Sequence, residues 1–194
     1  MSVPVAERLT ARGNGAAARI ERLLAELREG SWFAALGEPP TDGERMEVAL
    51  YLEGLGIAPL DVRWLEDWAQ ARRLSQAADW DRGWWQREQA RQKALYDAAA
   101  ASLGESALLR RLTEVTDAAA RLLHGPAAVA AAASGVADSG LIRVAAGAAS
   151  QAAYQVALAR IVATGADDPF GAKFRLYLAG RWPLVVVDGT FHIL

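Results

Sequence analysis

Residues 125–166 hold only three charged side chains, Asp138, Arg143 and Arg160. Almost everything else in that stretch is Ala, Gly, Ser or Val, as in Ala130-Ala131-Ala132-Ala133-Ser134-Gly135 and Val144-Ala145-Ala146-Gly147-Ala148-Ala149. A chain that avoids charge over such a length lies inside something, because an unpaired charge is costly to bury. Small side chains let two helix backbones approach closely. The stretch therefore predicts a tightly packed helical hairpin at the centre of the molecule. The break falls at Asp138-Ser139-Gly140, where Asp138 or Ser139 can cap the second helix. On this reading Gly147 and Ala149 have no room for larger side chains.

A membrane span is not expected. The longest charge-free run, Val144 to Ala159, is shorter than the ~20 residues that cross a bilayer, and it contains Gln151 and Gln155. The start, Met1-Ser2-Val3-Pro4, soon meets Glu7 and Arg8 and lacks the pattern of a signal peptide. With 194 residues the chain can bury a core without staples, and with no cysteine it has no disulfide framework, thiolate nucleophile or Cys-based zinc site. The expected location is cytoplasmic. Net charge is -2 with the signs mixed, so the basic surface of a nucleic-acid binder is missing.

Helical periodicity organises most of the chain. Residues 1–15 read as a loose N-terminus ending in Gly13-Asn14-Gly15. A first helix is expected from about Ala16 to Arg28, with Ile20, Leu23, Leu24 and Leu27 on one stripe. Trp32 and Phe33 then tuck a short turn onto the core. Thr41-Asp42-Gly43-Glu44 has the form of a capping box. The helix behind it carries Val48, Ala49, Leu52 and Leu55. A third helix is expected over about 59–76, placing Leu60, Trp64 and Trp68 four apart. Asp79 or Asp81 caps a fourth, which Leu103-Gly104 closes. The fifth, about 106–123, keeps its apolar spacing from Leu108 to Leu123, and Gly125-Pro126 reads as a stop and restart. Asp168-Pro169 opens a short helix ending at Gly180. Over 182–194 the period changes to that of a β-hairpin, with Asp188-Gly189 as its turn. Both faces of the first strand are apolar, and residues 190–194 read as an exposed edge.

The fold expected is all-α: about seven to eight helices over 16–181, a central Ala-rich helical hairpin, and a C-terminal β-hairpin, 182–194, packed on the same domain.

No catalytic constellation is complete. Glu44 and Glu47 have the E-x-x-E spacing that all-helical nucleotide pyrophosphohydrolases use to hold magnesium, but the later helix offers only the adjacent Glu66-Asp67, which diverge. An acid-rich helix start is the simpler reading. His124, expected at a helix end, and His192 have no metal-ligand partners at suitable spacing. No cofactor or metal is expected.

Tryptophan is the unusual feature, with five of the seven between positions 64 and 85. Trp64 and Trp68 read as core. Trp84 and Trp85 diverge by about 100° on a helix, so one face cannot bury both. Arg87 and Arg91 follow on the side of Trp84. Aromatic and arginine residues together mark either interface hot spots or cation–π packing within one chain. Arg143 is either a rim residue or a buried charge facing a pocket.

The preferred function is a non-catalytic interaction protein, such as an adaptor, immunity-like or assembly component. It would act through Trp84, Trp85, Arg87, Arg91 and the hairpin, with a protein partner or a second copy. The alternative is an enzyme or small-ligand binder with an inter-helix pocket lined by Trp, Tyr154 and Arg143. A concave apolar pocket with convergent polar groups discriminates in favour of the second. A third reading is an oligomerisation domain that packs its Ala-rich face on a copy of itself.

Overall fold

The charge-poor stretch forms the end of one long helix and the whole of the next. In the computed structural model, residues 5–57, 59–77, 79–165 and 167–194 are described, with side chains from residue 14 onward. The elements are α1 (Val5–Glu29), α2 (Asp42–Gly54), β1 (Asp61–Trp64), α3 (Trp68–Ser75), α4 (Arg82–Leu103), α5 (Glu105–Ala133), α6 (Ser139–Val162), α7 (Pro169–Leu178), β2 (Pro183–Val187) and β3 (Thr190–Ile193).

Helices α5 and α6 make the most extensive contact in the fold, and α1 and α4 pack on both of them. Ala127 and Ala131 of α5 and Ala145, Ala149 and Ala153 of α6 are fully buried. Methyl groups at the contact allow the two backbones to come close, as the composition predicts. Asp138 caps α6 by accepting from the N–H groups of Gly140 and Leu141. Gly147, however, is exposed, and a Cβ added there meets nothing within 4 Å. The tight contact belongs to the face holding Ala145 and Ala149, not to the whole circumference of the helix.

A second apolar cluster joins α2, α7 and the sheet, with Val48, Tyr51, Trp84, Leu176, Val186 and Phe191 at its centre. Thr41 and Glu44 form the expected capping box at the start of α2. Asp168 caps α7, with Pro169 in the first turn.

Several expectations are corrected. Helix α1 begins at Val5 and runs through Gly13-Asn14-Gly15, so residues 5–15 are helical rather than loose; residues 1–4 lie outside the described residues. Each glycine in a helix costs only about 1 kcal/mol. Once burial of Ile20, Leu23 and Leu27 supplies a nucleus, each further turn extends at small cost. Helix α5 does not stop at Gly125-Pro126 but carries Pro126 in its interior. Burial of Leu123, Ala127 and Ala131 against the core outweighs the missing hydrogen bond. His124 is consequently an exposed mid-helix residue rather than a terminal one.

The helix expected over 59–76 is instead a strand followed by a short helix. Strand β1 pairs in parallel with β3, with Asp61, Val62, Arg63 and Trp64 opposite Thr190, Phe191, His192 and Ile193. Asp67 then caps α3 by accepting from Gln70 N–H at 2.8 Å. The four-residue spacing of Leu60, Trp64 and Trp68 belongs to no single helix. The sheet order is β1-β3-β2, so β3 is the central strand and not an edge. The turn has positive φ at both Asp188 and Gly189, as a type I′ turn requires. Both faces of β2 are covered: Val185, Val186 and Val187 are buried, and Leu184 packs against both clusters.

Candidate functional site

One stripe of α6 faces away from the tight contact. Val144, Gly147, Ala148, Gln151 and Gln155 recur at three- and four-residue intervals along it. Opposite, α4 presents Trp84, Trp85 and Glu88. Because Gly147 and Ala148 fill so little space, the gap between the helices stays open as a cavity of about 490 Å³. Helix α7 contributes Lys173 and Tyr177, one turn apart; Trp182 and the first residues of β2, Pro183 and Leu184, complete the lining.

The α4 wall is pinned to the sheet. Asp81 N–H donates to Val186 O at 2.9 Å, and the Asp81 carboxylate accepts from Trp84 N–H at 2.6 Å. Trp80 bridges to Val187 and donates its indole N–H to Leu74 O at 3.1 Å. Trp80 is 40% exposed and Trp85 47% exposed, so two indoles stand at the mouth. Trp84 points inward, buried against Phe191.

The floor is polar and connected. Trp84 Nε1 donates to Tyr51 Oη at 2.9 Å, and Tyr51 Oη–H donates to Glu88 Oε1 at 3.2 Å. Lys173 Nζ donates to the same Glu88 oxygen and to Gln155 Oε1. The amide groups of Gln151 and Gln155 both donate to Gln92 Oε1. Glu88 is 1% exposed, and the Lys173 ammonium and the Tyr51 phenol are both held against its carboxylate. Burial, and then the Glu88 charge, push the Tyr51 phenol well above its ordinary value. Tyr51 therefore remains a donor across the physiological range. Both bonds fall on Oε1, and Glu88 Oε2 has no hydrogen-bond partner among the described residues.

The residues expected from the sequence distribute unevenly. Trp84 and Trp85 lie in this cavity, one buried and one wet. Arg87 lies apart and donates to Gly56 O. Arg91 is joined to Asp168, the cap of α7, so it ties two helices together. Arg143 is exposed and Tyr154 is half-buried beside the main core; neither lines the cavity, which corrects the expected pocket wall. Burial, with Tyr96 next, raises the Tyr154 phenol. Glu44 and Glu47 are taken up by Arg181 and Arg175. No group of three His, Asp or Glu among the described residues stands where it can hold a metal ion. None of the helices they form is long and apolar enough to cross a membrane.

Sequence reasoning missed Tyr51, Glu88, Gln155 and Lys173. Lys173 carried a usable signal: it is the one charge in Pro169-Phe170-Gly171-Ala172-Lys173-Phe174. No family model, curated protein or solved structure matches the chain.

Proposed function

We propose that the protein binds a small, flat, largely apolar molecule between α4, α6 and β2. The observation that carries this reading is the cavity itself: concave, walled by indoles, and floored by a buried Glu88–Lys173 pair with one carboxylate oxygen left for a ligand donor. Its volume lies in the range of small-molecule sites, and apolar walls with few polar anchors are their usual make-up. A hydrogen-bond donor on the ligand, reaching Glu88 Oε2, would fix its orientation.

Titration with 1-naphthylamine, an aromatic ring bearing a donor, tests this through tryptophan fluorescence. A saturable quench is expected, weaker for naphthalene and lost in Gly147→Leu, whose side chain enters the open space. Linear, non-saturating quenching in wild type would remove the reading.

The second reading keeps the cavity as a socket for a protein side chain. The exposed indoles of Trp80 and Trp85 at the rim, with Val144 beside them, favour it. A partner that competes with 1-naphthylamine, and whose binding Trp85→Ala weakens, would select this reading. It retains the interaction role expected from the tryptophans, but moves it from the arginines to the cavity mouth.

A further inference from the structure

The sheet order β1-β3-β2 leaves β1 and β2 as its two edges. The edge on β2 is partly closed, since Asp81 N–H donates to Val186 O and Trp80 bridges to Val187. The edge on β1 is open, and its register fixes which backbone groups it offers. Leu65 N–H donates to Ile193 O at 2.7 Å. Backbone groups alternate sides along a strand, so those of Arg63 and Asp61 also turn toward β3. The N–H and C=O of Val62 therefore point away from the sheet, and among the described residues they have no hydrogen-bond partner.

The side chains along this edge are free as well. Asp61, Val62 and Arg63 are exposed, Val62 by 37%. Asp61 and Arg63 make no hydrogen bond or ion pair with another described residue, unlike Arg160, Arg175 and Arg181, each of which holds a carboxylate. Asp61 and Arg63 share one face of the strand, and Leu60 and Val62 share the other. On that second face an apolar groove of about 400 Å³ runs between α2 and the edge, lined by Val48, Leu52, Ile57, Leu60 and Val62.

We infer that β1 pairs with β1 of a second copy of this chain, antiparallel and two-fold symmetric about Val62. Such an axis sets Val62 against its copy with both N–H···O bonds exchanged, which uses the outward groups of each edge. It also sets Asp61 of each copy opposite Arg63 of the other. These are the closer, non-hydrogen-bonded positions of an antiparallel ladder, where opposite charges attract and like charges repel. An axis through Asp61 would oppose two carboxylates, and one through Arg63 two guanidinium groups. Either would also present backbone groups already used by β3. Charge and hydrogen bonding thus select the same register. Edge strands are often guarded by charge. A guard of one sign repels a copy, whereas opposite signs two residues apart are self-complementary, as a two-fold interface requires. On the other face the exposed Val62 side chains meet, and the two grooves join across the seam.

Sedimentation velocity of the full chain over a dilution series reads this association. A monomer–dimer equilibrium is expected, weakened by salt because the selecting charges are exposed. Asp61→Arg and Arg63→Asp should each lower dimer affinity by about tenfold or more, since each sets like charges opposite one another. An equimolar mixture of the two variants should associate again, because each supplies the charge that the other lacks. Both substitutions are at exposed positions, so the dilute variants should keep the wild-type melting temperature, which separates lost pairing from lost folding. Amide exchange gives a second readout: Val62 should gain protection as wild type is concentrated, while Arg63, turned toward β3, is protected throughout. A chain that stays monomeric up to about 1 mM, single variants that dimerise as wild type does, a mixture that fails to associate, or Val62 exchange independent of concentration would each overturn the proposal.

Discussion

Arg181 holds Glu44 through two hydrogen bonds, Nε to Oε1 at 2.7 Å and Nη2 to Oε2 at 3.1 Å. The same guanidinium donates to the carbonyls of Ala35, Glu38 and Pro39, while its plane lies 5.5 Å from the Trp64 ring. Glu44 in turn accepts from Thr41 N–H at 2.7 Å as the capping-box acid. One residue thereby ties the start of α2, the loop before it and β1 to the segment after α7. Arg181→Met should cost about 3–5 kcal/mol, because it strands a buried carboxylate. Chemical denaturation of the variant checks this, and Glu44→Gln in the same background should recover part of the loss. Equal stability of Arg181→Met and wild type would show that the loop rests on its apolar contacts alone.

Acid should act on this same pair. Burial pulls the Glu44 carboxyl upward, but the hydrogen bonds from Arg181 and Thr41 together hold it below its ordinary value. A carboxylate with a depressed folded pKa contributes stability above its unfolded value, near 4.5, and loses it as pH falls through the folded value. Arg181→Met should therefore flatten the fall in melting temperature below about pH 4.5 relative to wild type.

His192 sets a separate window at higher pH. Its folded value is depressed, burial being the main cause, so the unfolded chain binds the proton first as pH falls. Stability is full above the unfolded value of 6.5 and declines as pH drops below it. Thermal melts between about pH 7 and about pH 5 should show this slope in wild type and a shallower one in His192→Gln.

Two leucine substitutions two residues apart should behave oppositely. Ala149 is fully buried at the α5–α6 contact, so Ala149→Leu should overpack and lose ~1–3 kcal/mol or more. Gly147→Leu replaces a helical glycine that faces the cavity, so stability should hold or rise by up to about 1 kcal/mol. Melting temperatures of the pair decide it; parallel losses would mean that the cavity is closed in solution.

The two adjacent tryptophans should separate likewise. Trp84 is buried and donates to Tyr51, and Trp84→Ala should cost about 3–5 kcal/mol. Trp85→Ala should change stability by less than about 1 kcal/mol and should weaken 1-naphthylamine binding. A large stability loss from Trp85→Ala would place its ring in the core rather than at the mouth.

What could be read from the sequence was what depends on neighbours along the chain. The capping box at Thr41, the caps at Asp81, Asp138 and Asp168, the buried stripe from Leu108 to Leu123, and the turn at Asp188-Gly189 are local signals. Strand β1 was illegible because what makes it a strand is β3, far away in sequence; alone, Leu60, Trp64 and Trp68 imitate a helix. Pro126 misled because local propensity carries no account of the packing that overrides it. The cavity floor draws Glu88, Gln155 and Lys173 from three helices, with Tyr51 of a fourth behind them, and only the fold brings them together. The split between Trp84 and Trp85 was legible, since adjacency on a helix forbids a shared face.

The parallel pairing of residues 61–64 with 190–193 also has a meaning in time. Helices α3 to α7 and strand β2 all lie within the loop that this pairing closes. Closing so long a loop costs entropy, and the cost falls once the intervening helices have folded and shortened it. Strand β1 is therefore expected to join last, with its segment unpaired until then. Contacts of such high sequence separation slow folding. The β2–β3 hairpin is local, so the step expected to wait for the bundle is the addition of β1 to it.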